Sequence, residues 1–456
     1  MVNFSERRFA VPVREDEVRS PDRIDYSRVM HSQSWRALQG KTQILDISDG
    51  SFHRTRMTHS LEVAQVCVGL LEGMRYRLYP DELRRLLPTD KQMETICSLH
   101  DIGHPPFGHA GETALHYAMM RTRPEFDSGF EGNGQTLRII SRLEKYTPGF
   151  GSNLTRRTML GILKYPRSLS EELLRGRTGA AGVGYRPSMP DARSAVTGRI
   201  ILDDRVHSPP KCYMDCERDV VEWLLAPFGA QQAALIREQG AKSFDCSLMD
   251  LSDDTAYSTG DLEDAIVLGL VREAQFRDEI TIEILGEFMA HVARRYPDDY
   301  PGSIEENYDR FVSDLFWDNS TTKKQIGRIV HYFIKSGDVR ERSQFEHPMY
   351  RWEAVLQPNA KPLLKALKRF VHEHVIKSSR VQAHRHRGQQ MLMQTFDVLA
   401  AQPYAYLPEP ERRRYRESDE SLRTICDFLA TMTDAELTAF YTRLFIPTRG
   451  EAIEVL

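Results

Sequence analysis

Cysteine is scarce here: six in 456 residues. That excludes the dense disulfide framework of small secreted domains. Cys67 and Cys97 fall in apolar helical patterns, as reduced core thiols do. Cys212 and Cys216 form a Cys-x-x-x-Cys pair, but with no second pair nearby the spacing is a poor zinc motif. Long apolar runs are missing too. The longest aliphatic stretch, 265–271, is far short of a membrane span. The first residues, Met-Val-Asn-Phe-Ser-Glu-Arg-Arg, are charged and lack the apolar core of a secretion signal. Reduced cytoplasm is the expected compartment. Net charge is only -4, so no global basic field invites nucleic acid. A site for an anionic substrate must gather its cations locally. No internal repeat is visible.

What is present is an ordinary globular balance: 41% hydrophobic and 28% charged residues, enough to bury a large core. Residues 1–22 read as a charged arm. A helix is expected over 23–39, then a loop or hairpin over 40–54 with a turn at Asp49-Gly50. Residues 57–74 carry a strong apolar helical pattern, with Thr58 as candidate N-cap. Another helix is expected over 91–100, stopped by Gly103 and Pro105-Pro106. A third should start after Gly111, and a loop over 129–134 should open a helix over 135–143. Residues 170–200, rich in Gly, Ala and Arg, read as a mobile insertion or long surface loop. Helices are expected again over 215–225 and 244–273, and from 280 onward, with breaks near 297–301, 337, 358–362 and 403–410. No set of alternating strands stands out. The fold class is mainly α, divided as an arm (1–22), a core (23–275) and a helical C-terminal region (276–456).

Chemistry concentrates in His100-Asp101-Ile102-Gly103-His104-Pro105-Pro106-Phe107-Gly108-His109-Ala110-Gly111-Glu112. A lone histidine at a helix end is usually a cap or a satisfied core residue. His100 and Asp101 adjoin at a helix end before a Gly/Pro loop, which weakens that explanation. Adjacent helical side chains diverge by about 100°, yet they converge on an ion lying off the helix terminus. A divalent metal wants nitrogen and carboxylate ligands from several elements. His59, on the preceding helix, is the natural third ligand. Arg54 and Arg56 just before it suit phosphate. The fourth piece is Leu248 to Asp261, whose paired aspartates Asp253 and Asp254 would offer an acidic ligand near 253. Asp253, Tyr257 and Asp261 recur at i, i+4 and i+8, along one helix face. A solvated surface face is the plainer explanation of that pattern.

These residues resemble the HD phosphohydrolase superfamily, and within it the deoxyguanosine triphosphate triphosphohydrolase (dGTPase) family. The likeness rests on Arg36-Ala37-Leu38-Gln39-Gly40-Lys41-Thr42-Gln43, the stretch from Arg54 to Gln65, and His100 to Glu112. Phe130-Glu131-Gly132-Asn133, Lys164-Tyr165-Pro166 and Asp253 to Tyr257 extend it. Residues 370–445 resemble that family's associated helical region, which is expected over about 361–456. The resemblance implies an HD-domain helical phosphohydrolase fold and the hydrolysis of a dNTP, dGTP foremost, to deoxynucleoside and inorganic triphosphate. It implies metal ligands His59, His100, Asp101 and Asp253, with Asp253 preferred to Asp254 by its offset from Tyr257. It implies a catalytic pair His109 and Glu112, with His104 in the phosphate pocket and Tyr257 and Asp261 at the 3′-hydroxyl. Mg²⁺, Mn²⁺ or iron would each fit the ligands. It also implies a homo-oligomer, often a hexamer, responsive to a dNTP or single-stranded DNA.

Chemically, His109 would transfer a proton at the departing 5′-oxygen while Glu112 fixes its tautomer. Arg56 and Lys164 are the candidates for triphosphate charge, and Gln39 for base or sugar. Arg385 and Arg387 form a basic run that would reach phosphates or simply face solvent. Two other readings stay open: an HD phosphatase or phosphodiesterase on nucleoside monophosphates or cyclic nucleotides, and a nucleotide-sensing or nucleic-acid-binding module with an inactive site.

Overall fold

The computed structural model describes residues 2–10, 16–43, 54–122, 129–177, 192–194 and 200–446. The chain is mainly α-helical, as expected. Two compact units divide it: one of residues 1–57, 99–241 and 383–456, the other of 58–98 and 242–382.

In the first unit the apolar core gathers around the helix Gly108–Thr122. Its residues Ala114, Leu115 and Ala118 pack with Leu392, Phe396 and Leu399 of the helix Ser379–Ala401. Ile425 and Leu429 of the helix Leu422–Thr431 close the cluster. The expected helix over 23–39 is instead Pro21–Met30 and Gln33–Ala37, followed by the short turn Leu38–Gly40. Ser32 breaks it: extended at ψ 151, it caps the second piece by accepting from the Trp35 amide. The helix expected after Gly111 begins earlier, at Gly108. The helix expected from 135 begins at Gly132, because Glu131 is its N-cap and accepts from the Gly134 amide at 2.8 Å. The expected loop over 170–200 fails at its start, where Leu169–Arg177 is helical. Leu169 and Leu173 are buried against Met120, Cys212 and Met214, which gives that helix a face to cover. The rest of that stretch, apart from 192–194 and Ile200, and the Asp49-Gly50 turn lie outside the described residues.

In the second unit the long helix Phe244–Val267 packs against Asn319–Ser336, Lys361–Val371 and a strand. Ser243 caps it by accepting from the Cys246 amide. Phe276, Phe288, Phe311, Tyr332 and Phe370 fill the unit with edge-to-face ring contacts. The helix expected over 57–74 runs Arg56–Arg75, so Thr58 lies inside it and is not its cap. No set of alternating strands stands out in the sequence, and among the described residues one short pair of strands is present. β1 (Gly337–Glu341) and β2 (Trp352–Leu356) pair antiparallel, with Arg340 opposite Glu353. No described helix is long and apolar enough to cross a membrane.

Candidate active site

The helix Asp90–Leu99 ends just before His100 and Asp101, and a tight loop then carries the chain to Gly108. Two glycines make that loop possible. A Cβ on Gly103 would stand 2.1 Å from the Gly132 carbonyl oxygen, so only glycine fits. Gly108 has φ +56°, and a Cβ there would meet the Arg56 guanidinium at 2.4 Å.

The loop assembles a row of ionisable side chains within the first unit. Arg56 Nη1 donates to Asp101 Oδ2 at 2.6 Å, both groups buried. His104 Nδ1 lies 3.1 Å from Asp101 Oδ1, and His100 Nε2 lies 3.6 Å from the same oxygen. Burial opposes ionisation of Asp101, but His104 and then Arg56 overcome it and hold the carboxyl well below its usual range. Burial pushes the His104 imidazole down to about 4, against the pull of Asp101, so it is neutral at neutral pH.

The row continues through ring contact. The rings of His104 and His109 meet edge to face, 5.0 Å between centroids. His109 is largely exposed, and its Nδ1 stands 2.8 Å from Glu112 Oε2. Glu112 is buried and accepts from the Gly132 amide at 2.9 Å. Burial alone would raise its pKa; Lys211 and then His109 reverse that and hold it well below the usual range. An ionised Glu112 accepts the proton on His109 Nδ1, which leaves Nε2 free to exchange a proton with a substrate.

Lys211 was not singled out from the sequence. Its Nζ stands 3.0 Å from Glu131 and 3.5 Å from Glu112, one ammonium between two buried carboxylates. Nothing local in Pro209-Pro210-Lys211-Cys212 announces this; the partners are about eighty and a hundred residues away in sequence. Asp434 was missed for the same reason. It accepts from the Phe107 amide and the Thr42 amide, each at 3.0 Å.

The second unit holds His59, Asp253, Tyr257 and Asp261. On the helix begun by Arg56, His59 is buried, and its Nε2 lies 3.1 Å from Asp253 Oδ1. An octahedral ion with ligands at about 2.1 Å sets neighbouring ligand atoms roughly 3 Å apart, so this pair has ligand spacing. Asp254 is turned elsewhere, 2.5 Å from Lys368 Nζ. Tyr257 and buried Asp261 follow Asp253 at successive turns of the same helix. Each unit thus presents imidazole and carboxylate together, a donor set suited to a divalent ion.

Gln39 is exposed on the turn Leu38–Gly40, and Lys164 is half-buried just past the helix Arg156–Ile162. Arg385 is ion-paired to Asp204, and Arg387 donates to His384. All six cysteines are free thiols. Among the described residues, neither Cys212 nor Cys216 joins a cluster of metal-ligand type. A cavity of about 860 Å³ in the first unit is lined by Arg28, His31, Arg36, Arg414 and Arg443. It reaches the loop only at Ile102, and no sequence-predicted site residue lines it.

Comparison with known proteins matches residues 56–153 to the HD domain and 354–443 to the phosphohydrolase-associated domain. The chain is 36% identical to the deoxyguanosinetriphosphate triphosphohydrolase-like protein 2 of Deinococcus radiodurans, over 99% of this chain and 98% of that one. It is 36% identical to a deoxyguanosinetriphosphate triphosphohydrolase-like protein of Shewanella baltica, covering 97% and 96%. A protein of the same name from Aliivibrio fischeri is 38% identical, with 95% of each chain covered.

Proposed function

Because the chain belongs to the deoxyguanosinetriphosphate triphosphohydrolase-like family of metal-dependent HD-domain phosphohydrolases, we propose that it hydrolyses a deoxynucleoside triphosphate, dGTP foremost, to deoxynucleoside and inorganic triphosphate. The observation that carries this reading is the His109–Glu112 pair, 2.8 Å apart, with one partner exposed and the other buried. A proton donor poised at the surface of a buried carboxylate suits a leaving oxygen that must be protonated.

In this reading His59, His100, Asp101 and Asp253 hold one divalent ion, Mg²⁺, Mn²⁺ or iron. The 3.1 Å approach of His59 to Asp253 supports the choice, as does the engagement of Asp254 by Lys368. The bound ion would polarise the phosphoryl centre. His109 gives a proton to the departing 5′-oxygen, and Glu112 supports the imidazolium that exists before the transfer. His104, kept neutral, faces the phosphates without adding charge. Arg56, Lys164 and Gln39 are assigned to triphosphate and nucleoside, and Tyr257 and Asp261 to the 3′-hydroxyl. Homo-oligomerisation, a response to a dNTP or single-stranded DNA, and a cytoplasmic setting belong to the same proposal.

Incubation with each of the four dNTPs and Mg²⁺ or Mn²⁺, followed by product identification, tests it. Inorganic triphosphate as the first product is expected. Stepwise release of orthophosphate would make the chain an HD phosphatase instead, and no turnover with any dNTP would favour a sensing module. His109→Ala should lower kcat by about 10²–10⁴-fold while metal content is unchanged.

A further inference from the structure

Lys41 belongs to the Gln39-Gly40-Lys41-Thr42 stretch but has no part in the reading above. It is 2% exposed, and its Nζ donates to two backbone carbonyls, His104 at 2.6 Å and Ala430 at 3.0 Å. Among the described residues no carboxylate stands within ion-pairing distance of it. Its main chain is engaged as well: the Arg56 amide donates to the Lys41 carbonyl at 3.1 Å. The side chains of those two partners, Arg56 and His104, are the ones that flank Asp101, at 2.6 Å and 3.1 Å.

We propose that Lys41 is a positioning residue for Asp101, clamping through its ammonium the loop that carries His104 and through its carbonyl the helix start that carries Arg56. This rests on the reading of Asp101 as a metal ligand. The physical case is one of cost. Burial pushes the Lys41 amine down to about 7, with Asp434 only partly offsetting it. A lysine buried without a carboxylate partner costs the desolvation of its charge, which here only the hydrogen bonds to two carbonyls offset. Packing therefore does not explain the lysine. A need to fix two carbonyl positions does. Asp434 reinforces the clamp from the same side, since it accepts from the amides of Thr42 and Phe107. Groups that orient a ligand from outside the ligand set typically alter metal affinity or activity by 10–100-fold.

Lys41→Met tests this in the full-length protein, with Mn²⁺ affinity as the primary measurement. About 10–100-fold weaker Mn²⁺ binding is expected in the folded variant, with a similar fall in kcat. Lys41→Gln, which keeps a donor, should lose less, and it carries the test if Lys41→Met does not fold. The loss should largely vanish in a His104→Ala, Arg56→Ala background, because the residues Lys41 acts through are gone. Unchanged Mn²⁺ affinity in the folded variants would overturn the proposal, as would an equal loss in that background. If the wild type binds Mn²⁺ but hydrolyses no dNTP, the substrate reading fails while the Mn²⁺ comparison still decides the role of Lys41.

Discussion

A single ammonium, that of Lys211, keeps two buried carboxylates within one site. Its charge is the largest favourable influence on Glu112 against the burial that raises it. The sign of its removal follows. Without Lys211, Glu112 is pulled up toward protonation, and a protonated Glu112 no longer accepts from His109 Nδ1. Lys211→Met should therefore move the acidic limb of the kcat/KM–pH profile to higher pH and lower the plateau. An acidic limb that stays in place would mean that another group protects Glu112. A second carboxylate, Glu131, sharpens the point: burial already raises it, and Lys211 is the first influence opposing that rise. At this scale the sequence was legible where residues adjoin, as at His100-Asp101 before a Gly/Pro loop, while the His109–Glu112 pair was implied by family resemblance and not by local geometry. Lys211 and Asp434 could not be read, because their partners are set by tertiary packing.

The loop between the helices Asp90–Leu99 and Gly108–Thr122 is the element on which the site depends. Its path brings the Gly103 backbone against the Gly132 carbonyl, and Gly103 also donates its amide to Thr136 Oγ1 at 3.1 Å. Gly103→Ala forces a methyl into that contact. Overpacking of a tight interior typically costs about 1–3 kcal/mol, and here backbone rather than a flexible side chain must yield. Urea unfolding should show a loss of at least that size, and activity should fall more than stability, since Asp101 and His104 lie on either side. A variant as stable and active as the wild type would show that the loop relaxes freely. Elements were legible to the extent that their signals were local. The helix Arg56–Arg75 was found within a residue at each end because its apolar pattern is dense. The start at Gly108 was missed because Phe107 and Gly108 both take positive φ, 61° and 56°, which composition alone does not reveal. β1 was missed because Gly-Asp-Val-Arg-Glu has one apolar residue and no alternation; its pairing rests on β2 and on the Arg340–Glu353 ion pair.

At the scale of the whole molecule, the four proposed ligands come from three separated stretches of chain, at 59, 100–101 and 253. None of these stretches makes a site alone, so the unfolded chain should bind a divalent ion weakly. An ion that binds the folded form only stabilises it by mass action, about 2.7 kcal/mol when its concentration is a hundred times Kd. Titration with Mn²⁺ should therefore raise Tm steadily with log concentration, and a chelator should reverse the rise. Asp253→Asn separates this from general salt effects. The amide keeps the volume and a carbonyl oxygen near His59 Nε2 but loses the charge that attracts the ion. Its Tm without metal should be close to that of the wild type, because the His59–Asp253 contact is partly solvated, with Asp253 23% exposed. Its response to Mn²⁺ should be displaced to much higher concentration. Asp254→Asn, which breaks only the ion pair with Lys368, should leave the response in place. If the two variants behave alike, the choice of Asp253 as the fourth ligand fails, and with it the sugar-contact roles assigned to Tyr257 and Asp261 by their offset from it.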